Sequence, residues 1–474
     1  VPYQAKKGRC KIETRAATSP SLFPDGKSSP FASAIVIWEA CNLLAQRRSL
    51  SWERDVAGNL VYQRQLSQDR GALTFQITHP PLPNSQATAP DADTLALLEN
   101  FDIRAACLHL IFAAHATALE RPWEQEFVVD DQQLEEYLGM EKRKDLSKTA
   151  RLALLQELIQ QVCQLQVAIE WSQQGRVMAF SLEANPLWHL LEVRHHFQDD
   201  HLGCKHLVGL TFRVKAGEWS QYFLNKQGCR ESTAFYQYGN LPRSLLMEVM
   251  SIWQQHEGAA RMLLWLLFKM KMGKEQRIMV PTLMRVGYGE EKVVLAASHR
   301  EGRKRLLRTF ESDLEVLNHY GLKPVFDPVT YPSEIQPLWA KLVDLPDDAE
   351  AALEFWTNDG SNNTRLTDAA PRGKWNRLMN ARLLCFEMPK DWETQSTARS
   401  EKKQKRTTRK ASARSVISLS AQQIVAARKD LQLSQRSLAT QIGKSQSWIR
   451  DVESGRLRVN VKDQALLRKV LGIA

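Results

Sequence analysis

Long apolar runs are missing from this sequence of 474 residues. The longest, residues 262–268, is far shorter than the roughly 20 residues that a membrane-spanning helix needs. The N-terminus also lacks the succession of basic, apolar and small residues that marks a secretory signal. The seven cysteines are scattered and form no C-x-x-C pair, which is typical of free thiols. We therefore expect a cytoplasmic protein without a membrane segment.

Motifs for catalysis and metal binding are also scarce. The Gly-Lys-Ser triplets at 26–28 and 443–445 lack the earlier glycine of a phosphate-binding loop, because Ser21 and Leu438 stand at that position. Residues 195–206 are rich in His, Asp and Cys, but their spacing matches no standard zinc module. We therefore assign no metal and no cofactor, and we expect no enzymatic activity.

Positive charge is concentrated at one end of the chain. The formal net charge is +11, and residues 399–474 hold 18 Lys and Arg against five Asp and Glu. The preceding residues hold 46 Lys and Arg against 48 Asp and Glu. Because phosphate backbones attract clustered Lys and Arg, this C-terminal excess favours a nucleic-acid partner.

The N-terminal part contains two segments of different composition. Residues 1–30 are rich in Pro, Ser, Thr and Gly and offer little apolar surface to offset ordering entropy, which predicts a mobile arm. Residues 31–90 show an apolar helical stretch, followed by alternation at Leu73, Phe75 and Ile77. We predict a small unit of one helix and one hairpin there.

Residues 91–206 show the element order of a winged helix, which is helix, strand, helix, helix and hairpin. The hairpin is predicted at 166–171 and 176–182. The long helix begins near residue 147, and cations precede and open it. We expect these cations to contact DNA phosphates: Lys142, Arg143, Lys144, Lys148 and Arg151.

Residues 207–395 repeat the same order of helices and strands. Their long helix is predicted at 302–318 and a strand at 322–326. The closing strand is predicted at 381–387, so that 327–380 is a long insertion between the two wing strands. A basic cluster lies before and along the helix, and we expect it to face a DNA groove. Its predicted DNA-binding members are Arg300, Arg303, Lys304 and Arg308.

Residues 396–417 are dominated by Lys, Arg, Ser, Thr and Ala and contain almost no large apolar residue. This composition predicts a flexible basic linker. Two interpretations stay open for it, a solvated tether and a segment that binds DNA phosphates without sequence preference.

Residues 418–474 contain the helix caps and the turn residue that are typical of a helix-turn-helix. Ser434 is a suitable N-cap for the second helix, Gly443 can adopt a positive φ in the turn, and Ser445 can cap the third helix. The spaced motifs L-S-Q-x-x-L-A, I-G-x-S-Q-x-x-I and E-x-G-R resemble those of the Xre and lambda-repressor family. The resemblance implies a small all-α, DNA-binding domain.

In that family, the residues that open the second and third helices face DNA. The resemblance therefore implies that Gln435 lies near phosphate and that Gln446, Ser447 and Arg450 lie at base edges. Gln suits adenine, whereas Arg suits guanine. The full set that we predict to contact DNA here is Gln435, Arg436, Lys444, Ser445, Gln446, Ser447, Trp448, Arg450 and Arg456.

The two winged-helix passes, over residues 91–392, resemble tandem winged-helix plasmid replication initiators. This resemblance implies binding to repeated origin sites in double-stranded DNA, recruitment of host replication proteins and no catalysis by the initiator itself. Two alternatives stay open: an Xre-type transcriptional regulator with a large sensor or oligomerisation body, and a DNA-processing enzyme of a mobile element. We also expect a homodimer.

These segments together predict the fold class. We expect a mainly α fold with small β-hairpins, that is α+β, with two winged-helix-like domains and a C-terminal all-α helix-turn-helix domain.

Overall fold

The computed structural model describes residues 15, 17–55, 60–66, 70–78, 101–142, 145–199, 204–269, 277–342, 357, 371–389, 392, 420–454, 456–457, 459 and 461–472. The chain divides into two compact units, Val1–Glu393 and Thr394–Ala474. Each unit has its own hydrophobic core.

The N-terminal part of the first unit is packed where the structure describes it. Leu22 and Phe23 are buried, and β1 (Ser28–Ala32) pairs antiparallel with β10 (Tyr238–Pro242). The prediction of a mobile arm is therefore wrong for residues 17–30. The reason is that two apolar side chains and one strand find partners far along the chain, which the local composition does not reveal.

The sequence predicted one helix and one hairpin for the next segment, and its described residues form one helix and three strands. They are α1 (Ile35–Gln46), β2 (Glu53–Arg54), β3 (Leu60–Gln65) and β4 (Gly71–Ile77), with a 3-10 helix at Arg47–Ser49. Leu73, Phe75 and Ile77 alternate along β4 and are all buried, because successive side chains of a strand point to opposite faces.

Where the structure describes it, the first winged-helix-like module has three helices and a three-stranded antiparallel sheet. Its elements are α2 (Ile103–Ala118), β5 (Glu126–Asp130), α3 (Asp131–Tyr137), α4 (Lys148–Cys163), β8 (Trp188–Asp199) and β9 (Lys205–Ala216). The strands lie in the order β5-β9-β8. Asp130 and Ser147 cap α3 and α4, since each side chain accepts a hydrogen bond from a backbone N–H of the first turn.

The hairpin predicted as the wing of this module belongs to another sheet. β6 (Leu165–Trp171) and β7 (Phe180–Pro186) pair with each other, but β6 also pairs with β4. A five-stranded sheet in the order β2-β3-β4-β6-β7 results, and the wing is formed by β8 and β9 instead. The prediction is wrong because a local pattern shows that a hairpin forms but not which distant strand it joins. The predicted segments 31–90 and 91–206 thus share a sheet, and their boundary lies outside the described residues.

Short helices connect the two modules. They are α5 (Ser220–Phe223), α6 (Lys226–Glu231) and, after β10, α7 (Arg243–Ile252). Asn225 caps α6 by accepting a hydrogen bond from the Gly228 N–H at 2.7 Å.

The second winged-helix-like module repeats the strand order of the first. Its elements are α8 (Glu257–Lys269), β11 (Ile278–Met279), α9 (Val280–Tyr288), α10 (Glu290–Ser298), α11 (Arg300–His319), β12 (Lys323–Phe326) and β13 (Arg382–Glu387). The strands lie in the order β11-β13-β12, so the strand predicted at 381–387 does close this sheet. The insertion between β12 and β13 contains α12 (Leu338–Leu342) and α13 (Lys374–Met379).

The described residues of the second unit form four helices, which pack as a bundle. They are α14 (Ala421–Asp430), α15 (Gln435–Ile442), α16 (Gln446–Glu453) and α17 (Val461–Leu471). Ser420 and Gln423 form a capping box at the start of α14. The small core between the helices consists of Ile424, Leu438, Ala439, Ile442, Ile449, Val452, Leu467 and Leu471.

The predicted fold class is confirmed. Helices predominate, and the sheets are small and antiparallel, as expected for a mainly α member of the α+β class. Within the described residues, no helix is both long and apolar enough to cross a membrane.

Candidate nucleic-acid interface

The turn between α15 and α16 is built by local chemistry. Ser434 accepts a hydrogen bond from the Ser437 N–H at 3.0 Å, and Ser445 accepts one from the Trp448 N–H at 3.2 Å. Gly443 ends α15 with φ of +70°, a left-handed conformation in which a side chain would strain the backbone. These three residues make α16 begin at Gln446, as the sequence predicted.

α16 has one buried face and one polar face. Ile449 and Val452 are buried in the core of the second unit, whereas Gln446, Ser447 and Arg450 are exposed. Amide, hydroxyl and guanidinium groups therefore project from the first turns of a helix that is held rigidly on its other side. Such groups are the donors and acceptors that can pair with base edges in a major groove.

Gln435 has a partner inside the protein. Its Nε2 donates to Glu453 at 2.7 Å, and Arg428 donates to the same carboxylate at 2.5 and 3.2 Å. Burial by itself would raise the pKa of Glu453, but the hydrogen bonds from Arg428 and Gln435 hold that pKa below its usual value. This network ties the start of α15 to the end of α16 and orients Gln435.

The remaining residues of this unit that we predicted to contact DNA differ in their exposure and in their contacts within the unit. Lys444 lies 3.1 Å from Asp463 and 5.4 Å from the ring centre of Trp448, so both side chains are partly engaged within the unit. Arg436, Ser445 and Arg456 are exposed. The predicted linker, residues 396–417, lies outside the described residues.

α11 carries a basic stripe in the second winged-helix module. Arg300, Lys304 and Arg308 are exposed and lie at i, i+4 and i+8, which places them on one face of the helix. The opposite face is buried through Leu306 and Phe310 among others. Arg305 is exposed on the same helix and extends the stripe, although it is absent from the predicted set.

The electrostatics of this stripe are visible at Glu301. Lys304 donates a hydrogen bond to Glu301 at 3.0 Å and lowers its pKa, and the charges of Arg300 and Arg308 lower it further. Arg303 behaves differently, because its Nη1 donates to the backbone oxygen of Ala297 at 2.8 Å. Arg303 therefore fastens the end of α10 to the start of α11.

The cations predicted in the first module have partners within the protein. Lys148 lies 2.8 Å from Glu135 and also donates to Asp131, and Arg151 lies 3.6 Å from Glu135. Both carboxylates are buried, and Arg15 adds a second cation beside Asp131 at 3.0 Å. Removing a cation from a buried ion pair is strongly destabilising, so these cations have a structural role in the first unit.

The two helices that correspond in the modules therefore differ in charge. The exposed side chains of α4 are Thr149, Ala150, Ala153, Glu157 and Gln160, which include no cation. DNA contact by Lys148 and Arg151 stays a prediction. In the structure both side chains form ion pairs with carboxylates inside the protein, which compete with such a contact. The side chain of Lys142 and all of Arg143 and Lys144 lie outside the described residues.

The histidine-rich segment lies on the wing of the first module. His196 is buried and its Nε2 lies 2.7 Å from the Thr211 hydroxyl, while His195 stacks on Phe197. In the part of the chain that the structure describes, no group of three or more His, Cys, Asp or Glu side chains could hold a metal ion.

Comparison with known proteins gives little. No family model and no curated protein matches the chain. Among solved structures, it is similar to a crystal structure of the RctB domains 2-3 with 9% sequence identity and a TM-score of 0.28, over 58% of this chain and 83% of that one. A likeness at this level carries no argument about function.

Proposed function

We propose that this protein binds double-stranded DNA in a sequence-specific manner. The observation that carries the proposal is the geometry of α16, whose Gln446, Ser447 and Arg450 are exposed while Ile449 and Val452 anchor the helix in the core. A helix presented in this way can enter a major groove, and its polar residues can pair with base edges. Each good base contact contributes about 1–3 kcal/mol of discrimination.

The basic stripe of α11 supports a second contact with DNA. Its three cations repeat every four residues, and at a rise of about 1.5 Å per residue successive charges are about 6 Å apart along the helix. This spacing lets several of them reach phosphates along one edge of a groove. Such contacts add affinity and position the protein, while α16 supplies sequence preference.

We further propose that the biological role is replication initiation at repeated origin sites of a plasmid or mobile element, with host replication proteins as partners. Two modules with the same strand order within one unit support this role, because repeated modules suit repeated sites. The proposal assigns no catalytic step to the protein.

A transcriptional regulator is the second candidate. It is supported by the separate core of the second unit, since a helix-turn-helix domain that folds around its own core can be attached to a sensor or an assembly body. In this case the first unit would not need to contact DNA.

The first experiment selects bound sequences from a random duplex pool with the full chain. We expect one enriched motif, which the double variant Gln446→Ala, Arg450→Ala no longer enriches. The control Gln422→Ala, Lys429→Ala likewise removes one Gln and one basic side chain, here from exposed positions of α14, and should enrich the original motif. Failure of the wild-type chain to bind or enrich any duplex would refute the proposal.

The second experiment separates the two roles. Footprinting the full chain on DNA that flanks its own gene should protect a series of direct repeats if it is an initiator. Protection of one short operator that overlaps a promoter, with no effect of changes in α11, would favour the regulator.

A further inference from the structure

The first unit contains a polar cavity beside α11. Its volume is about 610 Å³, which lies in the range of about 300–1,000 Å³ typical of small-molecule sites. The walls come from the 3-10 helix Arg47–Ser49, the start of α8, the end of α9 and the middle of α11. The side of the cavity formed by α11 includes Thr309 and Asp313.

Cationic groups outnumber anionic ones in this cavity. Arg47, Arg261 and Lys292 line it together with the carboxylates Glu257 and Asp313. Both oxygens of Asp313 are engaged, since one accepts from Tyr288 at 2.6 Å and the other lies 3.0 Å from His256 Nδ1. The first turn of α8, a helix of 13 residues, also faces the cavity at Gly258. Free N–H groups and the positive end of the dipole at such a turn favour anions.

Arg261 is the most buried of the three cations. Arg261 is only 8% exposed, although arginine side chains are rarely buried unless they are paired. Its Nη2 donates to Glu257 at 2.7 Å, and its Nη1 donates to Ser49 at 3.2 Å and to the Gly287 oxygen at 3.3 Å. Within the described residues its buried Nε has no hydrogen-bond partner. A buried donor without a partner costs free energy, so a rearrangement that gives this Nε an acceptor is favoured.

Arg47 is held in an unusual backbone conformation. Its φ is +54°, which is rare for a residue with a side chain, and such strain is often found at functional sites. Its oxygen accepts a hydrogen bond from Trp52 Nε1 at 3.0 Å, which helps to fix the conformation. The guanidinium group meets the same carboxylate, Glu257, that Arg261 binds.

Glu257 thus occupies the position where two arginines would hold an external anion. Burial alone would raise its pKa, but Arg261 and Arg47 outweigh that effect and lower it, so the carboxylate is charged at neutral pH. Its side chain remains 41% exposed, so it can move away into solvent. An internal carboxylate of this kind competes with any ligand that carries the same charge.

We propose that this cavity binds a phosphate group, which replaces Glu257 on Arg47 and Arg261 and is approached by Lys292. The phosphate belongs either to a nucleotide or to the DNA backbone, because both present the same anionic oxygens to arginine. The proposal goes beyond the function proposed above and rests on it only where DNA is the source.

The experiment compares variants of the full chain. Glu257→Gln removes the competing charge and should tighten phosphate binding by up to about fivefold, since an ion pair of this exposure is worth up to about 1 kcal/mol. Lys292→Ala should weaken it by a similar factor, and Arg261→Met should abolish it. Glu124→Gln removes one negative charge from an exposed ion pair with Arg121 and controls for net charge.

Inorganic phosphate and ATP are titrated by calorimetry, and duplex DNA of arbitrary sequence by fluorescence anisotropy at fixed salt. Circular dichroism checks the fold of each variant. If Arg261→Met unfolds, the variants of the exposed Lys292 and the partly exposed Glu257 still test the inference.

Affinities for phosphate or ATP that follow the expected order support a nucleotide site. If only the affinity for the duplex follows that order, the DNA backbone is the source. No dependence on Glu257 or Lys292 in either titration, beyond that of Glu124→Gln, overturns the inference. In that outcome wild-type binding to DNA leaves the proposed function intact. Ordered phosphate affinities without any DNA binding would instead refute the proposed function alone.

Discussion

Replacing Arg300, Lys304 and Arg308 together by Ala is expected to lower the salt dependence of duplex binding by about 1.8–2.7 in the slope of log K against log [salt]. Each phosphate contact contributes about 0.9 to that slope, and the stripe supplies three exposed cations. The value falls below the maximum of about 2.7 if Lys304 keeps its contact with Glu301 when DNA is bound.

The assay is fluorescence anisotropy of a labelled duplex over a series of salt concentrations. Arg303→Ala is the internal control, because Arg303 donates to the Ala297 oxygen and should leave the slope close to that of the wild type. An unchanged slope in the triple variant would refute the assignment of α11 to DNA. A slope that falls as much for Arg303→Ala as for Arg300→Ala would refute the distinction drawn from the structure.

Changing Gln446 and Arg450 to Ala should reduce discrimination between the selected motif and a scrambled duplex by about 1–3 kcal/mol per lost contact, and retained discrimination in competition assays would contradict this. Because the pKa of Glu453 is lowered in the fold, the stability that it contributes is present above its unfolded pKa and is lost as pH falls through the folded value. Thermal unfolding of the full chain should show this loss of stability at acid pH in the C-terminal transition, and Glu453→Gln should make that transition less dependent on pH. An identical pH profile for the variant counts against the network. Lys148→Met should destabilise the first unit by about 3 kcal/mol, because the buried carboxylate of Asp131 loses one of its two cationic partners. The salt slope of duplex binding should stay unchanged. A stable variant with a reduced slope would instead favour DNA contact by Lys148.

Local sequence patterns predicted the elements that depend on near neighbours. Ser434, Gly443 and Ser445 determine the ends of α15 and α16 through hydrogen bonds and dihedral angles that span only a few residues. The alternation of apolar residues likewise located β4. For these elements the period of the side chains and the chemistry of the caps contain enough information.

Pairings between distant segments were decided only by the tertiary structure. The sequence predicted a hairpin at 166–182, but the choice of β4 as its neighbour joins strands from different predicted segments. The same holds for charge, since Lys148 and Arg300 look alike in sequence. Lys148 meets the buried Asp131, whereas Arg300 lies on an exposed face.

The cavity beside α11 shows this limit most clearly. Arg47 and Glu257 are 210 positions apart and contact each other only because α1 and α8 pack together. Sequence by itself determined which helices form, where they begin and which residues carry charge. The tertiary structure decided which charges neutralise each other and which remain available for a ligand, because electrostatic interactions depend on distance and burial in space.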